Sequence, residues 1–160
     1  MMRQLLLVHL ALGLAACAGE DQFAVSIESR GDAVDFAPYV QPVLEVGCAS
    51  LDCHGDAGRP LRLYGRRGLR LDPTLRGLDA SDEELAANIA AIDGIDPDAE
   101  QIEDHLVLLK PLAVSAGGIH HIGGDLWSDQ SIAAYRCLHA WLRAGVSDDA
   151  GRTVCSEVFP

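Results

Sequence analysis

The 160-residue sequence contains few methionines, few aromatic residues and little positive charge. Its two methionines are Met1 and Met2, and aromatic residues make up 5% of the chain. The formal net charge is -12, from 12 basic and 24 acidic residues, which argues against nucleic acid or anionic lipid headgroups as partners. G-x-S-x-G, H-E-x-x-H and phosphate-loop motifs are also absent, so the sequence does not predict an enzyme.

No apolar run near the N-terminus is long enough for a membrane-spanning helix. The run from Leu5 to Ala16 follows Arg3 and is much shorter than the roughly 20 residues that a bilayer requires. It ends in Leu14-Ala-Ala-Cys17, which resembles the lipobox of bacterial lipoproteins. The alternatives are an ordinary cleaved signal peptide and a buried N-terminal helix.

The lipobox resemblance implies a signal peptide over residues 1–16 and a lipid on Cys17, which would anchor the chain to a membrane. The expected location is the bacterial cell envelope, facing the periplasm, and Ala18 after the cysteine favours the outer membrane. Residues 17–34 are polar without a helical stripe and predict a flexible tether. Residues 35–160 are of the right length for one domain, which we expect to be mostly α-helical.

Five cysteines are present, and four remain if Cys17 carries lipid. An even number of cysteines in an oxidising compartment suggests pairs. Cys137 and Cys155 flank the end of the last predicted helix, so we expect a disulfide between them. Cys48 and Cys53 form the second pair.

The second pair differs from the first because His54 and Gly55 follow it directly. Cys48-x4-Cys53-His54-Gly55 resembles the C-x-x-C-H haem attachment motif of c-type cytochromes, with a spacer of four residues where two are usual. The resemblance implies one covalent haem c, with thioether bonds at Cys48 and Cys53 and with His54 as the proximal iron ligand. It further implies electron transfer with a redox partner protein.

Two other segments extend the resemblance to a small cytochrome c-like helical domain. Apolar residues at 36, 39, 40, 43 and 44 predict a short helix that leads into the cysteine motif. Gly117-Gly118, then His121-x-Gly123-Gly124, is similar to a segment of cytochrome c-like lipoproteins. A further helix is predicted over Ser128–Ala144, with Gly145 as its stop.

A methionine ligand is missing from the predicted mature chain, so another residue must serve if the iron has a sixth protein ligand. His121 is the candidate and His120 the alternative, since glycines on both sides allow close approach of a flat group. Lys110 and an open sixth position remain as further alternatives.

The segment between the cysteine motif and the middle of the chain is rich in arginine. Residues 60–71 alternate with a period of two around a glycine-bounded turn and predict a short β-hairpin. Arg62 and Arg70 would lie on one face, where guanidinium groups suit haem propionates. The alternative is a solvated turn that balances an acidic chain.

Two helices are predicted after this turn. Ser81 and Glu84 form a capping box for a helix that ends at Gly94. Asp96-Pro97 opens another, which Lys110-Pro111 stops.

Two other interpretations of the cysteine motif stay open. The first is a haem-free structural or interaction lipoprotein with disulfides Cys48–Cys53 and Cys137–Cys155. The second is a metal site formed by Cys48, Cys53, His54 and His121.

Overall fold

The computed structural model describes residues 33–144 and 149–159, and helices dominate these ranges. No strand occurs within them, so the predicted mostly α class is confirmed. Cys17, the predicted signal peptide and residues 17–32 of the predicted tether lie outside the described residues. None of the described helices is long and apolar enough to cross a bilayer. The α-helices are α1 (Ala33–Asp35), α2 (Gln41–Gly47), α3 (Asp82–Ile95), α4 (Leu106–Leu109), α5 (Ala133–Ala144) and α6 (Asp149–Ser156).

A π-helical turn, Phe36–Val40, joins α1 to α2. The Gln41 amide donates to the Phe36 carbonyl, five residues back, and Pro42 has no amide hydrogen with which to continue a regular ladder. The helix predicted before the cysteine motif is therefore present, with a wider turn that the apolar spacing did not reveal.

The core forms where this first segment packs on α5. The Phe36 and Trp141 rings lie 5.2 Å apart between centroids, and both side chains are fully buried. The helix α5 starts at Ala133, five residues after the predicted Ser128, because Asp129 accepts the Ser131 amide in a turn that precedes it. The predicted stop at Gly145 lies outside the described residues.

The predicted disulfide between Cys137 and Cys155 is formed, with the two Cα atoms 4.6 Å apart. It joins α5 to α6, a helix that we did not predict from the sequence. Both cysteines are buried against the core. The bridge therefore fixes the C-terminal segment to the helix that carries Trp141.

Replacing both Cys137 and Cys155 with serine is expected to lower the free energy of unfolding by about 3 kcal/mol, because the unfolded chain regains the entropy of the loop. Urea denaturation of the variant and of the wild-type protein measures this difference. Wild-type protein unfolded under reducing conditions should match the variant. A loss below about 1 kcal/mol in both measurements would contradict the prediction.

The predicted β-hairpin over residues 60–71 is not confirmed. The segment has one isolated bridge, between Tyr64 and Leu69, and is otherwise a loop. Side-chain amides hold it instead: Asn88 on α3 accepts from the Tyr64 amide at 2.7 Å and donates to its carbonyl at 2.8 Å. Gln41 donates to the same carbonyl at 3.0 Å. These bonds satisfy the buried backbone without a strand partner.

The helix α3 begins with the predicted capping box. Ser81 Oγ accepts the Glu84 amide at 3.3 Å, and a Glu84 carboxylate oxygen accepts the Ser81 amide at 3.0 Å. The helix predicted between Pro97 and Lys110 is broken, however, into a 3-10 turn over Ile102–Asp104 and the single α-turn of α4. The His105 backbone is extended there, and its ring accepts the Val107 amide as a cap for α4.

Candidate functional site

The cysteine motif begins where α2 ends. The His54 amide donates to the Cys48 carbonyl at 2.8 Å, which closes the loop between the two cysteines. The Gly55 amide donates to the Ser50 carbonyl, also at 2.8 Å. The four-residue spacer is therefore folded into a compact turn that returns Cys53 and His54 to the end of the helix.

Two glycines hold this turn against the arginine-rich loop. A Cβ atom on Gly55 would lie 2.7 Å from the Gly68 Cα, and a Cβ atom on Gly68 would lie 2.0 Å from the Ala49 carbonyl oxygen. Both contacts are with backbone, which cannot move aside as a flexible side chain could. The glycine after His54 and the glycine of the following loop thus allow a close approach of two backbones.

The His54 ring has a defined hydrogen-bond partner. Its Nδ1 lies 3.1 Å from the Leu61 carbonyl oxygen, and since a carbonyl only accepts, Nδ1 must carry the proton. Burial lowers the pKa of His54 below its ordinary value, against the effect of that hydrogen bond, and charge on His121 and Arg59 lowers it further. The imidazole is accordingly neutral at neutral pH, with Nε2 as its free lone pair.

His121 lies at the tip of a second loop, whose two ends pair. The Leu126 and Trp127 amides donate to the Pro111 carbonyl, and the Ala113 amide donates to the Trp127 carbonyl at 2.8 Å. A Cβ atom on Gly118 would lie 1.8 Å from the Leu112 carbonyl oxygen, so a glycine is needed where the loop crosses its own base.

The His121 ring repeats the arrangement of His54. Its Nδ1 lies 3.1 Å from the Gly124 carbonyl oxygen, and since a carbonyl only accepts, Nδ1 is the donor. Gly124 has a φ of 84°, and its neighbour Gly123 lies directly against the ring: a Cβ atom there would be 3.0 Å from His121 Cε1. Gly123 and Gly124 therefore allow the His121 ring to take this position.

The structure brings His54 and His121 together, although the sequence separates them widely. Their ring centroids lie 6.0 Å apart, and the ring planes differ by 10°. The two rings therefore stack where the cysteine motif and the second loop meet.

His120 and Lys110, the alternatives to His121, face other partners. The His120 side chain is exposed, and Lys110 Nζ donates to the His120 carbonyl at 3.0 Å. Of the two neighbouring histidines, only His121 has a ring contact with His54 in the described part of the chain.

Cys48 and Cys53 are both free thiols, so the structure does not contain the Cys48–Cys53 disulfide of the haem-free interpretation. Cys48 is buried and Cys53 is partly exposed. Burial raises the pKa of Cys48 to about 12, with a contribution from the neighbouring Cys53. The described residues contain no group of three or more histidine, cysteine or acidic side chains that could hold a metal ion, so the four-ligand metal site is not formed.

The two arginines proposed for haem propionates have different surroundings. Arg62 is exposed. Arg70 has a side chain that is 1% exposed, and it contacts Glu84 through two bonds, from Nε to Oε1 at 2.9 Å and from Nη2 to Oε2 at 2.7 Å.

The remaining N–H groups of Arg70 donate to the backbone carbonyls of Leu75, Leu78 and Asp79. All five donors of the guanidinium group thus have protein acceptors, and none is left for a propionate. The expectation for Arg70 is corrected: this residue ties the loop to α3.

Two shallow grooves border the cysteine motif. One, of about 260 Å³, includes Gly55 and Gly68, and the other, of about 220 Å³, includes Cys48 and Leu126. Both are smaller than the roughly 300–1,000 Å³ of a pocket that encloses a small-molecule ligand. A flat cofactor held by these residues would therefore keep much of its surface exposed.

Sequence reasoning missed the two carbonyl acceptors, at Leu61 and Gly124, because a backbone carbonyl has no residue preference. Only the glycines near His121 gave a signal. Comparisons of the chain with protein-family models, curated proteins and solved structures find no match.

Proposed function

We propose that this chain is an exported, lipid-anchored monohaem c-type cytochrome that transfers electrons. Cys48 and Cys53 would hold the haem through thioether bonds, and His54 and His121 would bind its iron. The observation that carries the proposal is the His54 and His121 pair, with parallel rings 6.0 Å apart and with both Nδ1 atoms hydrogen-bonded to backbone carbonyls.

The donor set fits a haem iron in kind. Two unoxidised thiols precede the proximal imidazole, and the turn that contains them is closed by the bond from His54 to the Cys48 carbonyl. The Leu61 and Gly124 carbonyls would hold both imidazoles in the tautomer that binds metal through Nε2. The haem would supply one-electron redox chemistry when bound.

The protein would control that chemistry through its own residues. Leu61 and Gly124 would hold the two rings in orientation, and Gly123 would allow His121 to approach. Exposed apolar side chains beside the grooves, Leu126 at 45% and Val46 at 75% exposure, would contact an apolar face. Packing of Phe36 on Trp141 joins the first helical segment to α5, the last helix predicted from the sequence, and a cytochrome c-like arrangement would use such a contact.

In this proposal, the location is inferred from the lipobox-like sequence around Cys17 and the partner from the charge of the chain. Lipid on Cys17 would anchor the protein in the cell envelope, facing the periplasm. The excess of acidic residues favours a redox partner protein with a basic docking surface.

Expression of the chain together with a cytochrome c maturation system tests the proposal. We expect an intact mass increased by one haem, an absorption spectrum of low-spin haem c, and loss of the adduct in a Cys48→Ser, Cys53→Ser variant. A colourless protein of unmodified mass would overturn it.

The His121→Ala variant of the haem-loaded protein is expected to shift from a low-spin to a high-spin spectrum, since it loses one strong-field nitrogen ligand. His120→Ala is the matched control, because its ring is exposed and its backbone bond to Lys110 does not depend on the side chain. Equal spectra for the two variants would contradict ligation by His121.

The second candidate is a haem-free structural or interaction lipoprotein. The size of the two grooves favours it, since neither would enclose a haem. In the same expression experiment it predicts no adduct with either the wild-type or the variant chain.

A further inference from the structure

The spacer of the cysteine motif, residues 49–52, has a hydrogen bond from one arginine. Arg59 Nη2 donates to the Asp52 carbonyl at 2.9 Å. The other hydrogen bonds of the spacer are between backbone groups, among them the bond from the Cys53 amide to the Ser50 carbonyl at 3.0 Å. In the described part of the chain, Arg59 is therefore the only side chain that hydrogen-bonds to the spacer.

Arg59 lies on the short segment that leads from His54 to the acceptor of its ring. The Arg59 amide donates to the Asp56 carbonyl at 3.2 Å, in a turn that begins two residues after His54. Leu61, two residues after Arg59, provides the carbonyl that lies 3.1 Å from His54 Nδ1. Pro60 stands between them and restricts the backbone. Arg59 thus links the spacer to the segment that orients the imidazole.

The charge of Arg59 also acts at His54. Burial is the main reason for the lowered pKa of His54, and the cationic Arg59 contributes to it. A guanidinium group stays charged at neutral pH, so this contribution is permanent. A cation beside an imidazole also disfavours further positive charge on a metal that the imidazole binds, which raises the reduction potential of that metal.

A spacer of four residues needs such a contact more than a spacer of two. Each added residue costs conformational entropy when it is held in one conformation. Leu51 is 51% exposed and Asp52 is also exposed, so packing does little to hold this part of the spacer. A hydrogen bond from a charged donor is stronger than one between neutral groups. The bond from Arg59 is placed at the exposed end of the spacer, directly before Cys53.

We propose that Arg59 is a positioning residue for haem attachment, which holds the four-residue spacer in the conformation that presents Cys48 and Cys53 beside His54. The inference rests on the proposed function where it names haem as the attached group. The effect of Arg59 on the spacer does not depend on haem, so it is tested separately.

The reactivity of Cys48 in the reduced, haem-free chain tests the effect on the spacer. Cys48 is 9% exposed, so iodoacetamide reaches its thiol chiefly when the turn opens. Arg59→Ala should raise the rate of Cys48 alkylation about threefold to tenfold, as expected for the loss of one such hydrogen bond. Arg59→Lys should restore most of the wild-type rate, because an ammonium group also donates and carries the charge. Site-resolved mass spectrometry separates Cys48 from the other thiols.

Arg67→Ala is the matched control, since Arg67 is exposed and has no hydrogen bond to the spacer. It should leave the rate of Cys48 alkylation unchanged, and both alanine variants should unfold at the same urea concentration as the wild-type protein. An unchanged rate in Arg59→Ala, or an equal increase in Arg67→Ala, would overturn the inference. A faster rate accompanied by unfolding at lower urea concentration would also overturn it, because the effect would then be global.

Expression with a cytochrome c maturation system tests the link to haem. Arg59→Ala should lower the yield of the haem adduct, and the adduct that forms should have a lower reduction potential than the wild-type protein, because the cation beside His54 is gone. Arg59→Lys should recover both. Equal yields and potentials for wild-type and Arg59→Ala chains would overturn this inference alone. Absence of the adduct from every chain would instead overturn the proposed cytochrome function, while the alkylation rates would still decide whether Arg59 holds the spacer.

Discussion

Replacing Gly68 with alanine is expected to destabilise the protein by about 3 kcal/mol or more and to displace His54. The new Cβ would lie 2.0 Å from the Ala49 carbonyl oxygen, a distance at which backbone must move. Gly68 contacts Gly55, the residue after His54, so a shift of the Gly68 backbone would also move the cysteine motif. Urea denaturation measures the loss of stability, and the yield of the proposed haem adduct measures the loss of the site.

Gly94 provides the matched control for this substitution. It lies near the end of α3, and a Cβ atom there would contact nothing within 4 Å. Gly94→Ala should therefore raise the free energy of unfolding by about 0.5–1 kcal/mol, because alanine loses less backbone entropy in a helix. Equal free energies of unfolding for Gly68→Ala and Gly94→Ala would contradict the close approach of the Gly55 and Gly68 backbones.

Replacing Glu84 with glutamine is expected to cost about 3–5 kcal/mol, because it leaves the charge of Arg70 buried without a counterion. The side chains of Arg70 and Glu84 are 1% and 0% exposed. Glu83→Gln, one residue away and exposed, should change stability by no more than about 0.5 kcal/mol. Thermal or urea unfolding of both variants at neutral pH measures the contrast.

Acidification should remove this difference between wild-type and Glu84→Gln protein. Burial opposes ionisation of Glu84, but hydrogen bonds from Arg70, Ser81 and Leu71 outweigh it and hold its pKa below the ordinary value. A lowered pKa in the folded state means that the carboxylate stabilises the protein above the unfolded pKa of about 4.3 and ceases to do so as pH falls through the folded pKa. A constant difference between pH 7 and pH 3 would contradict this assignment.

The helices with local signals were the predictable part of the fold. The Ser81 and Glu84 box starts α3 where the sequence placed it, since both bonds join residues three positions apart. The prediction of one continuous helix between Pro97 and Lys110 was wrong. His105 is fully buried there and its backbone is extended, which interrupts the helix. The spacing of apolar residues does not predict such an interruption, because it takes no account of a buried polar ring.

The site was predictable in its chemistry and less so in its geometry. Cys48, Cys53 and His54 are neighbours in sequence, so their proximity needs only a turn. The choice of His121 over His120 could not be made from glycine content, because both histidines lie between the same glycine pairs. The assignment of Arg70 to a propionate failed for a related reason: its carboxylate partner, Glu84, lies on another element.

The sequence alone determined the features that short-range interactions decide: where α3 begins, which residues make the cysteine motif, and that Cys137 and Cys155 could pair across a helix end. The tertiary structure decided which imidazole faces His54, which acceptors surround Arg70, and how closely Gly55 and Gly68 approach. These outcomes depend on atoms from separate segments that meet only when the chain is packed. Local propensity acts over a few residues and carries no information about such contacts.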